Sequence, residues 1–309
     1  MEPFRFDSPL GRVKRDPKPT DYPASVLLGK SGITPEIWRP ADAAGVSITM
    51  QAKQPACGGY SLQYSLVLYL YRQLVARGLV PAYFLLSPRS AYALEKTVDG
   101  LGIEVQGTHI EAIAKARQLL GICLEAMFPS NTNLAIDVFD NWKFSSDEAK
   151  SDALGRATGE SYFFLGKSPT FQSIKDAIYN HGDVILEVEV GEEWYTAPDG
   201  TTSWATKDIL PLRPPNSLID GHFINATQFD AENIYGPNSW SEAWGNNGWF
   251  QMQQNYMPFV VDGLVFKKIP ASAKQAITAQ QLTIAQQIIL DIEEALGLIR
   301  REASKVGIS

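Results

Sequence analysis

The chain has 309 residues, of which 45% are hydrophobic and 11% aromatic, enough to build one large domain or two ordinary ones. Its formal net charge is -7 and its lysines and arginines are dispersed, so we expect neither nucleic acid nor a membrane surface as a partner. The N-terminus lacks the apolar core of a signal peptide, and the two cysteines match no metal-ligand spacing. We therefore predict a protein without cofactors, in the cytoplasm or packaged in a larger assembly such as a virion.

The N-terminal part begins with an irregular segment and continues with a helical one. Residues 1–33 are rich in proline, glycine and charge without periodicity, which predicts an extended strap on a domain surface. Residues 34–165 are predicted to form a helical subdomain. Its first helix has an apolar stripe at Leu62, Leu66, Leu70 and Leu74. This helix is expected to end at residues 77–78, a basic residue followed by glycine, and to carry Cys57 at its N-terminus.

Two further helices are indicated by capping signals. Residues 87–88 place a serine before a proline, the usual order at a helix start. Thr108 and Glu111 form a capping box for a third helix, which we expect to run to Gly121. Cys123 lies in an apolar segment near the end of that helix, and we interpret it as a small buried hydrophobe.

Residues 166–270 are predicted to form a β subdomain after one more helix at about residues 170–180. In "DVILEVEV" apolar residues alternate with Glu187 and Glu189, which indicates a half-buried strand. Further strand-like runs lie at 222–228, 233–235, 248–253 and 260–269. Helices followed by strands predict an α+β protein of two subdomains with a site in the cleft between them.

The last segment, residues 271–309, returns to a helical pattern. Its apolar side chains follow a heptad spacing at Ala285, Ile288, Ile292, Ala295 and Ile299. Such a short repeat is compatible with a helix docked on its own body. The docked helix is the favoured interpretation, and self-association or attachment to a larger assembly stays open as the alternative.

Cys57 is a candidate nucleophile, because a helix N-terminus and a neighbouring imidazolium both lower the pKa of a thiol. His109 and His181 fall at predicted helix ends, where an exposed position is the simpler interpretation. His222 instead opens a strand-like run, and Asn238 follows it in "GPNSWSEAWGNNGWF". Because an amide oxygen can hold an imidazole in one tautomer, these two residues are a candidate general base and its orienting group.

The segment "NSWSEAWGNNGWF", preceded by a Gly-His-apolar segment, resembles the C-terminal signature of papain-like cysteine peptidases. "TPEIWRP" resembles the start of their catalytic domain, "QAKQPACGGYS" their Gln-x5-Cys block, and "GTHIEAIAKARQLLGICLEAMFPS" the helical block of bacterial and viral members. "LGRVKRDPKPTDYP" is similar to the short lead-in of those members. The resemblance covers about residues 11–268. It implies a papain-like fold with a helical half and an antiparallel β half.

The resemblance also implies a role for each matching residue. Cys57 would be the nucleophile, His222 the general base and then the general acid, and Asn238 the residue that orients the imidazole. Gln51 would be the side-chain donor of the oxyanion hole, together with the backbone N–H of Cys57. These roles predict a thiol peptidase that hydrolyses a polypeptide substrate through an acyl-enzyme.

A shifted register is the alternative at the nucleophile. If Gln54 were the glutamine of the oxyanion hole, Tyr60 would occupy the position of the nucleophile and the protein would be inactive. The register with Gln51 and Cys57 is favoured, because it also places Tyr60 and Ser61 where the family has an aromatic residue and a serine.

Trp240 is expected to cover the hydrogen bond between the histidine and the asparagine, and Trp244 to help wall the same side. The sequence departs from the family pattern at several positions, of which three are named here. Gly58 stands in place of a tryptophan after the nucleophile, Ser241 replaces a glycine, and Gly221 precedes the histidine where many members have a larger residue. These departures leave the substrate preference open.

Two other functions remain compatible with the sequence. The first is a catalytically silent module that uses a papain-like fold for binding or assembly. The second is a different acyl transfer by the same three residues, such as aminopeptidase-like trimming or amide transfer to an amine.

Overall fold

The computed structural model describes residues 12–13, 34–76, 85–102, 104–194, 215–216 and 218–267. The chain divides into two compact units, Met1–Lys267 and Lys268–Ser309, and all described residues belong to the first. The predicted C-terminal helix, the predicted helix end at 77–78 and nearly all of the N-terminal strap lie outside the described residues.

The helices of the first half pack closely around the N-terminus of the longest one. The described helices are α1 (Cys57–Val75), α2 (Pro88–Val98), α3 (Ile110–Lys115, continued by a π-helical turn at Ala116–Leu120), α4 (Ile136–Phe139), α5 (Asp147–Leu154) and α6 (Phe171–His181). As the leucine stripe predicts, α1 begins at Cys57, and its residues from there to Leu68 are all buried. Gly59 permits this close packing, because an added Cβ would lie 2.5 Å from the carbonyl oxygen of Pro88.

The helix starts follow two of the predicted signals and contradict a third. α2 begins at Pro88, and the Ser87 hydroxyl accepts a hydrogen bond from Ser90 N at 2.9 Å, which confirms that cap. The capping box predicted for α3 is wrong: the cap is His109, whose Nδ1 accepts from Ala112 N at 3.2 Å. Thr108 cannot cap the helix because it lies one residue earlier, in an extended segment paired with Arg12.

The strands of the second half form two sheets. They are β1 (Tyr162–Phe164), β2 (Val184–Gly191), β3 (Leu218–Ala226), β4 (Gln228–Phe229), β5 (Asn233–Pro237), β6 (Trp249–Gln253) and β7 (Val260–Phe266). The order is β1-β7-β2-β3 in one sheet and β4-β5-β6 in the other, and every pairing among them is antiparallel. The α+β class is therefore confirmed. The division predicted at 165–166 stays a prediction; β1 precedes it and pairs with β7.

The four-stranded sheet separates two hydrophobic cores. Val188 of β2 and Ile224 of β3 lie in a core shared with α6 and the smaller sheet. Phe223 of β3 lies in the other core, together with Cys57 and side chains of α2 and α3. Because successive side chains of a strand point to opposite faces, β3 presents His222 to the first core and Phe223 to the second. His222 is therefore adjacent in sequence to Phe223, which lies in the same core as Cys57.

The prediction that β2 is half-buried is wrong. Glu187 is only 2% exposed, and both faces of the strand are covered. A distant cation explains this burial, because Arg12 Nη1 lies 3.3 Å from Glu187 Oε1. The alternation of polar and apolar residues shows which side chains of a strand are polar. It cannot show that a distant residue such as Arg12 will neutralise one of them.

Candidate active site

His222 and Asn238 form a buried hydrogen-bonded pair. His222 belongs to β3, and Asn238 directly follows β5. His222 Nε2 lies 2.8 Å from Asn238 Oδ1, and the two residues are 0% and 1% exposed. The asparagine is held by its own backbone, whose N–H donates to Gly248 O at 2.8 Å. The structure therefore brings together the two residues that the sequence pairs as base and orienting group.

The surrounding hydrogen bonds assign the tautomer of the imidazole. Ser239 N donates to Asn238 Oδ1 at 2.8 Å, which identifies this atom as the amide oxygen. His222 Nε2 must then carry the proton that it donates to the same oxygen. The neutral ring consequently has its lone pair on Nδ1, the nitrogen that can accept a proton from a thiol.

Aromatic side chains enclose the imidazole. The ring of Trp240 lies 4.9 Å from that of His222, centroid to centroid, and Trp194 meets the imidazole edge-on at 6.1 Å. Trp244 packs against Trp240 at 5.5 Å, and its Nε1 donates to Trp194 O at 3.0 Å. Tyr256 in turn accepts a hydrogen bond from Trp194 Nε1 at 2.8 Å. Trp240 thus covers the histidine, and Trp244 supports Trp240.

Sequence reasoning missed Trp194 and Tyr256. Trp194 is fully buried in a short turn after β2. Its neighbours Glu192 and Glu193 are acidic, so no apolar periodicity marks the position. The one available signal was the residue type, because a buried tryptophan or tyrosine usually needs a hydrogen-bond partner and so marks a structured contact.

Cys57 lies at the first position of α1 and is 0% exposed. A backbone hydrogen bond connects its sulfur to Phe223, the residue after His222. Burial is the main cause that raises the pKa of Cys57 above its ordinary value; the hydrogen bond from Phe223 lowers this pKa, and the charges of Glu95 and Asp220 raise it. A thiol in such a place stays protonated unless a neighbouring base takes its proton.

Gln51 is 1% exposed and is oriented from two sides. Its Nε2 donates to Gln54 O at 3.1 Å, and its Oε1 accepts from Ser239 Oγ at 2.5 Å. A carbonyl oxygen can only accept, so these contacts assign the two ends of the amide, and one N–H of Nε2 is left over for another acceptor. Ser239 contacts Asn238 as well, and it therefore links the glutamine to the histidine–asparagine pair.

Tyr60, the nucleophile position of the shifted register, lies away from His222. Its hydroxyl donates to Met50 O at 3.1 Å, and its ring packs in a separate cluster that includes Phe139. The amide of Gln54 donates to two backbone carbonyls of the loop at 132–134, at 3.0 and 2.9 Å. The contacts therefore place Cys57, and not Tyr60, beside β3.

The structure shows the surroundings of two departures from the family pattern. At Gly58 an added Cβ would lie 2.6 Å from Glu95 Oε2, so α2 fills the space that a larger residue would need. Ser241 has a φ of 70°, in the left-handed region that favours glycine, at a cost of about 1 kcal/mol. Its backbone N–H donates to Thr49 O at 3.1 Å, which ties this turn to the segment before α1.

Glu95 is a buried carboxyl next to the nucleophile. It is 0% exposed, and neither carboxyl oxygen has a hydrogen-bond partner among the described residues. Burial raises the pKa of Glu95 well above its ordinary value, the charge of Asp99 raises it further and that of Lys96 lowers it. A protonated Glu95 carries no charge, which matters because its negative charge would raise the pKa of Cys57.

Glu95→Gln is expected to have a higher free energy of unfolding than the native protein at pH values above about 4.5. This difference should grow as the pH rises. An acid whose pKa is raised by folding contributes stability fully below its unfolded pKa and loses it as the pH rises through the folded pKa. The measurement is the unfolding midpoint of Glu95→Gln and native protein at pH 4 and pH 8. Glu232→Gln, an exposed matched control, should show no such trend, and an equal change at both pH values would contradict the prediction.

The described part of the chain contains neither a candidate membrane span nor a candidate metal site. No helix there is both long enough and apolar enough to cross a membrane. Nor are three or more histidine, cysteine, aspartate or glutamate side chains grouped there in a way that could hold a metal ion.

Solved structures with a similar fold are cysteine proteases and their precursors. Xylellain, a cysteine protease from Xylella fastidiosa, is 18% identical over 86% of this chain and 98% of its own, with a TM-score of 0.66. Procathepsin B S9 from Trypanosoma congolense is 13% identical over 86% and 84%, with a TM-score of 0.57. The digestive procathepsin L 3 of Tenebrio molitor larval midgut is 15% identical over 80% and 74%, with a TM-score of 0.56.

Neither a protein-family model nor a curated protein matches the chain by sequence. At these identities a structural likeness shows the fold and no more. The chain has the papain-like α+β fold that its motifs predict.

Proposed function

We propose that this protein is a cysteine peptidase in which Cys57 attacks a peptide carbonyl, His222 carries the proton and Asn238 orients the imidazole. The proposal is based mainly on one hydrogen bond. The hydrogen bond from His222 Nε2 to Asn238 Oδ1 makes Nδ1 the proton acceptor, in a strand whose next residue bonds to the sulfur of Cys57. A buried thiol and a base of fixed tautomer are the two parts that a thiol nucleophile requires.

The proposed reaction proceeds in two stages, formation of the acyl-enzyme and its hydrolysis. The proton of the Cys57 thiol moves to His222 Nδ1, and the thiolate adds to the carbonyl carbon of the substrate. Gln51 Nε2 and the backbone N–H of Cys57 donate to the oxyanion that forms. His222 then protonates the leaving amine as the C–N bond breaks. A water molecule gives a proton to His222 and its hydroxide to the carbonyl carbon of the thioester. The C–S bond then breaks to release the acid, and His222 returns its proton to the sulfur, which regenerates the thiol.

Burial explains why this site needs the histidine as an ion-pair partner. Because desolvation raises the pKa of Cys57, an isolated thiolate would be costly at this position. An imidazolium beside it provides the opposite charge, and the aromatic shell of Trp240 and Trp194 excludes water that would compete for the hydrogen bond to Asn238. The proposal therefore requires that the reactivity of Cys57 depends on His222.

An epoxide thiol reagent followed by intact-mass measurement tests this proposal. We expect one adduct on the native protein at neutral pH, lost in Cys57→Ala and retained in Cys123→Ala. Cys123 is the matched control because it too is 0% exposed and its pKa is also raised by burial. In His222→Ala the labelling rate should fall at neutral pH and recover only at alkaline pH. An adduct that is absent from Cys57, or whose rate ignores His222, would instead favour a catalytically silent module.

A further inference from the structure

Tyr64 lies two turns beyond Cys57 on α1 and is 1% exposed. Residues seven positions apart on a helix point in nearly the same direction and are separated by about 10 Å along its axis. The ring of Tyr64 packs in a small cluster with Ala43, Val46 and Leu68, apart from the two main cores. The phenol hydroxyl at the end of this buried side chain therefore has to find its hydrogen-bond partners inside the protein.

The hydroxyl of Tyr64 contacts two segments that lie far apart in sequence. Thr49 N donates to it at 2.9 Å, Thr49 Oγ1 lies 2.7 Å from it, and it donates to Asn238 O at 3.4 Å. A phenol has one proton and two lone pairs, and a carbonyl oxygen can only accept. The one proton of Tyr64 is therefore given to Asn238, and Thr49 donates through both its N–H and its O–H. These three contacts use the full hydrogen-bonding capacity of the hydroxyl.

The two contacted segments are also paired with each other. Gln51 N donates to Ser239 O at 2.9 Å and Ser241 N donates to Thr49 O at 3.1 Å, so residues 49–51 run antiparallel to residues 239–241. The first segment carries Gln51, the proposed donor of the oxyanion hole, and the second directly follows Asn238, the proposed orienting residue. The Tyr64 hydroxyl thus connects the helix of the proposed nucleophile to both segments.

A second tyrosine of α1 contacts one of these segments. Tyr60 lies one turn before Tyr64, and its hydroxyl donates to Met50 O at 3.1 Å. This hydrogen bond connects α1 to the segment of Gln51. Of the two tyrosines, Tyr64 is the one whose hydroxyl also contacts Asn238. The pair therefore offers a comparison between a hydroxyl that holds one segment and a hydroxyl that holds both.

We propose that Tyr64 is a positioning residue for the proposed reaction, and that its hydroxyl fixes the segments of Gln51 and Asn238 relative to the helix that carries Cys57. The proposal rests on the proposed function. Its physical basis is that a thiolate, an oxyanion donor and an oriented imidazole act together only while they are held at productive distances. Burial raises the pKa of Tyr64 to about 12, so the hydroxyl keeps its proton and donates to Asn238 O at neutral pH.

Loss of the hydroxyl should affect the two segments in different ways. Movement of the segment of Gln51 displaces a donor to the oxyanion and so lowers turnover. Movement of Asn238 weakens the hydrogen bond that holds the imidazole of His222 and stabilises its charged form. Less thiolate then forms at neutral pH, so the second movement also changes how the reactivity of Cys57 depends on pH.

Tyr64→Phe tests the proposal, because it removes the hydroxyl and keeps the ring in its cluster. We expect kcat for a quenched peptide to fall on the order of 10-fold, with KM changed by less than about twofold. The rate of Cys57 alkylation should fall at neutral pH and recover towards alkaline pH, which a merely structural role would not produce. Tyr235→Phe is the matched control, because that buried hydroxyl is bonded to Asp230 at 2.6 Å and to Arg39 at 3.0 Å, and it should change neither readout.

Two further variants separate the contacts. Thr49→Val removes one donor to the Tyr64 hydroxyl and leaves the bonds to Thr49 N and Asn238 O, so its effects should be in the same direction but smaller. The double variant Thr49→Val/Tyr64→Phe should be no worse than Tyr64→Phe, because both changes act on one hydroxyl. Tyr60→Phe should lower kcat without changing the pH dependence of alkylation. Unfolding midpoints identify any variant that fails to fold, and Thr49→Val gives the same test if Tyr64→Phe does.

Amide hydrogen exchange separates this proposal from the proposed function. In Tyr64→Phe, exchange should become faster in residues 49–51 and 238–241 and stay unchanged in α6. Native exchange in those two segments would overturn the proposal, and so would a native kcat and alkylation profile in a folded variant of a protein that cleaves peptides. Faster exchange in a protein that neither cleaves peptides nor reacts at Cys57 would support the fixing of the segments by Tyr64 and overturn the peptidase.

Discussion

Replacing His222 by alanine is expected to lower kcat for peptide hydrolysis by at least about 10⁴-fold, because the thiol then has no proton acceptor and the leaving amine no proton donor. The pKa of Cys57 is raised by burial, so little thiolate would form near neutral pH without the imidazole. The measurement is steady-state hydrolysis of a quenched peptide with enzyme in large excess over any contaminating peptidase. Residues that act as one unit are not additive, so Cys57→Ala/His222→Ala should be no less active than either single variant.

His181→Gln is the matched control for this prediction. His181 lies at the end of α6 and contacts the ring of Phe163, away from the proposed site. Its replacement should change kcat by less than about twofold while testing the general effect of removing a histidine. A His222→Ala variant that folds and retains more than about a tenth of the native kcat would contradict the assigned mechanism.

Much of the fold was accessible from the sequence, because local signals and packing agree there. The Ser-Pro start of α2 and the leucine stripe of α1 each describe a segment whose environment is set by its own pattern, and the alternation of β2 predicts the strand but not its burial. The motif spacing around Cys57, His222 and Asn238 could be recognised because each residue lies in a sequence block of distinctive composition.

What could not be predicted depends on contacts between distant segments. The burial of Glu187 results from Arg12, which is remote in sequence and lies in a segment without periodicity. The cap of α3 by His109 depends on the pairing of Thr108 with the same N-terminal segment, which the capping-box pattern does not contain. Trp194 belongs to this class too, since its place against His222 is set by tertiary packing.

Gln51 gives the second large expected effect, and its geometry explains why. Ser239 Oγ is bonded to the amide oxygen of Gln51 and Gln54 O to its nitrogen, so the amide cannot flip without losing both hydrogen bonds. A donor that is already fixed costs no reorganisation when negative charge develops on the substrate. Gln51 and Asn238 are both bonded to Ser239, so one residue positions both the proposed oxyanion donor and the proposed orienting group.

Gln51→Ala is therefore expected to lower kcat on the order of 10²- to 10³-fold with little change in KM, because the lost hydrogen bond exists only in the transition state. Ser239→Ala should give a smaller loss in the same parameter, since it frees the amide to rotate but leaves the donor in place. Gln54→Ala separates the two registers: it removes the bonds to the loop at 132–134 and should lower the unfolding midpoint more than kcat. If Gln54→Ala abolished turnover in folded protein while Gln51→Ala did not, the oxyanion hole would belong to the other glutamine, and the assignment of Cys57 would fail with it.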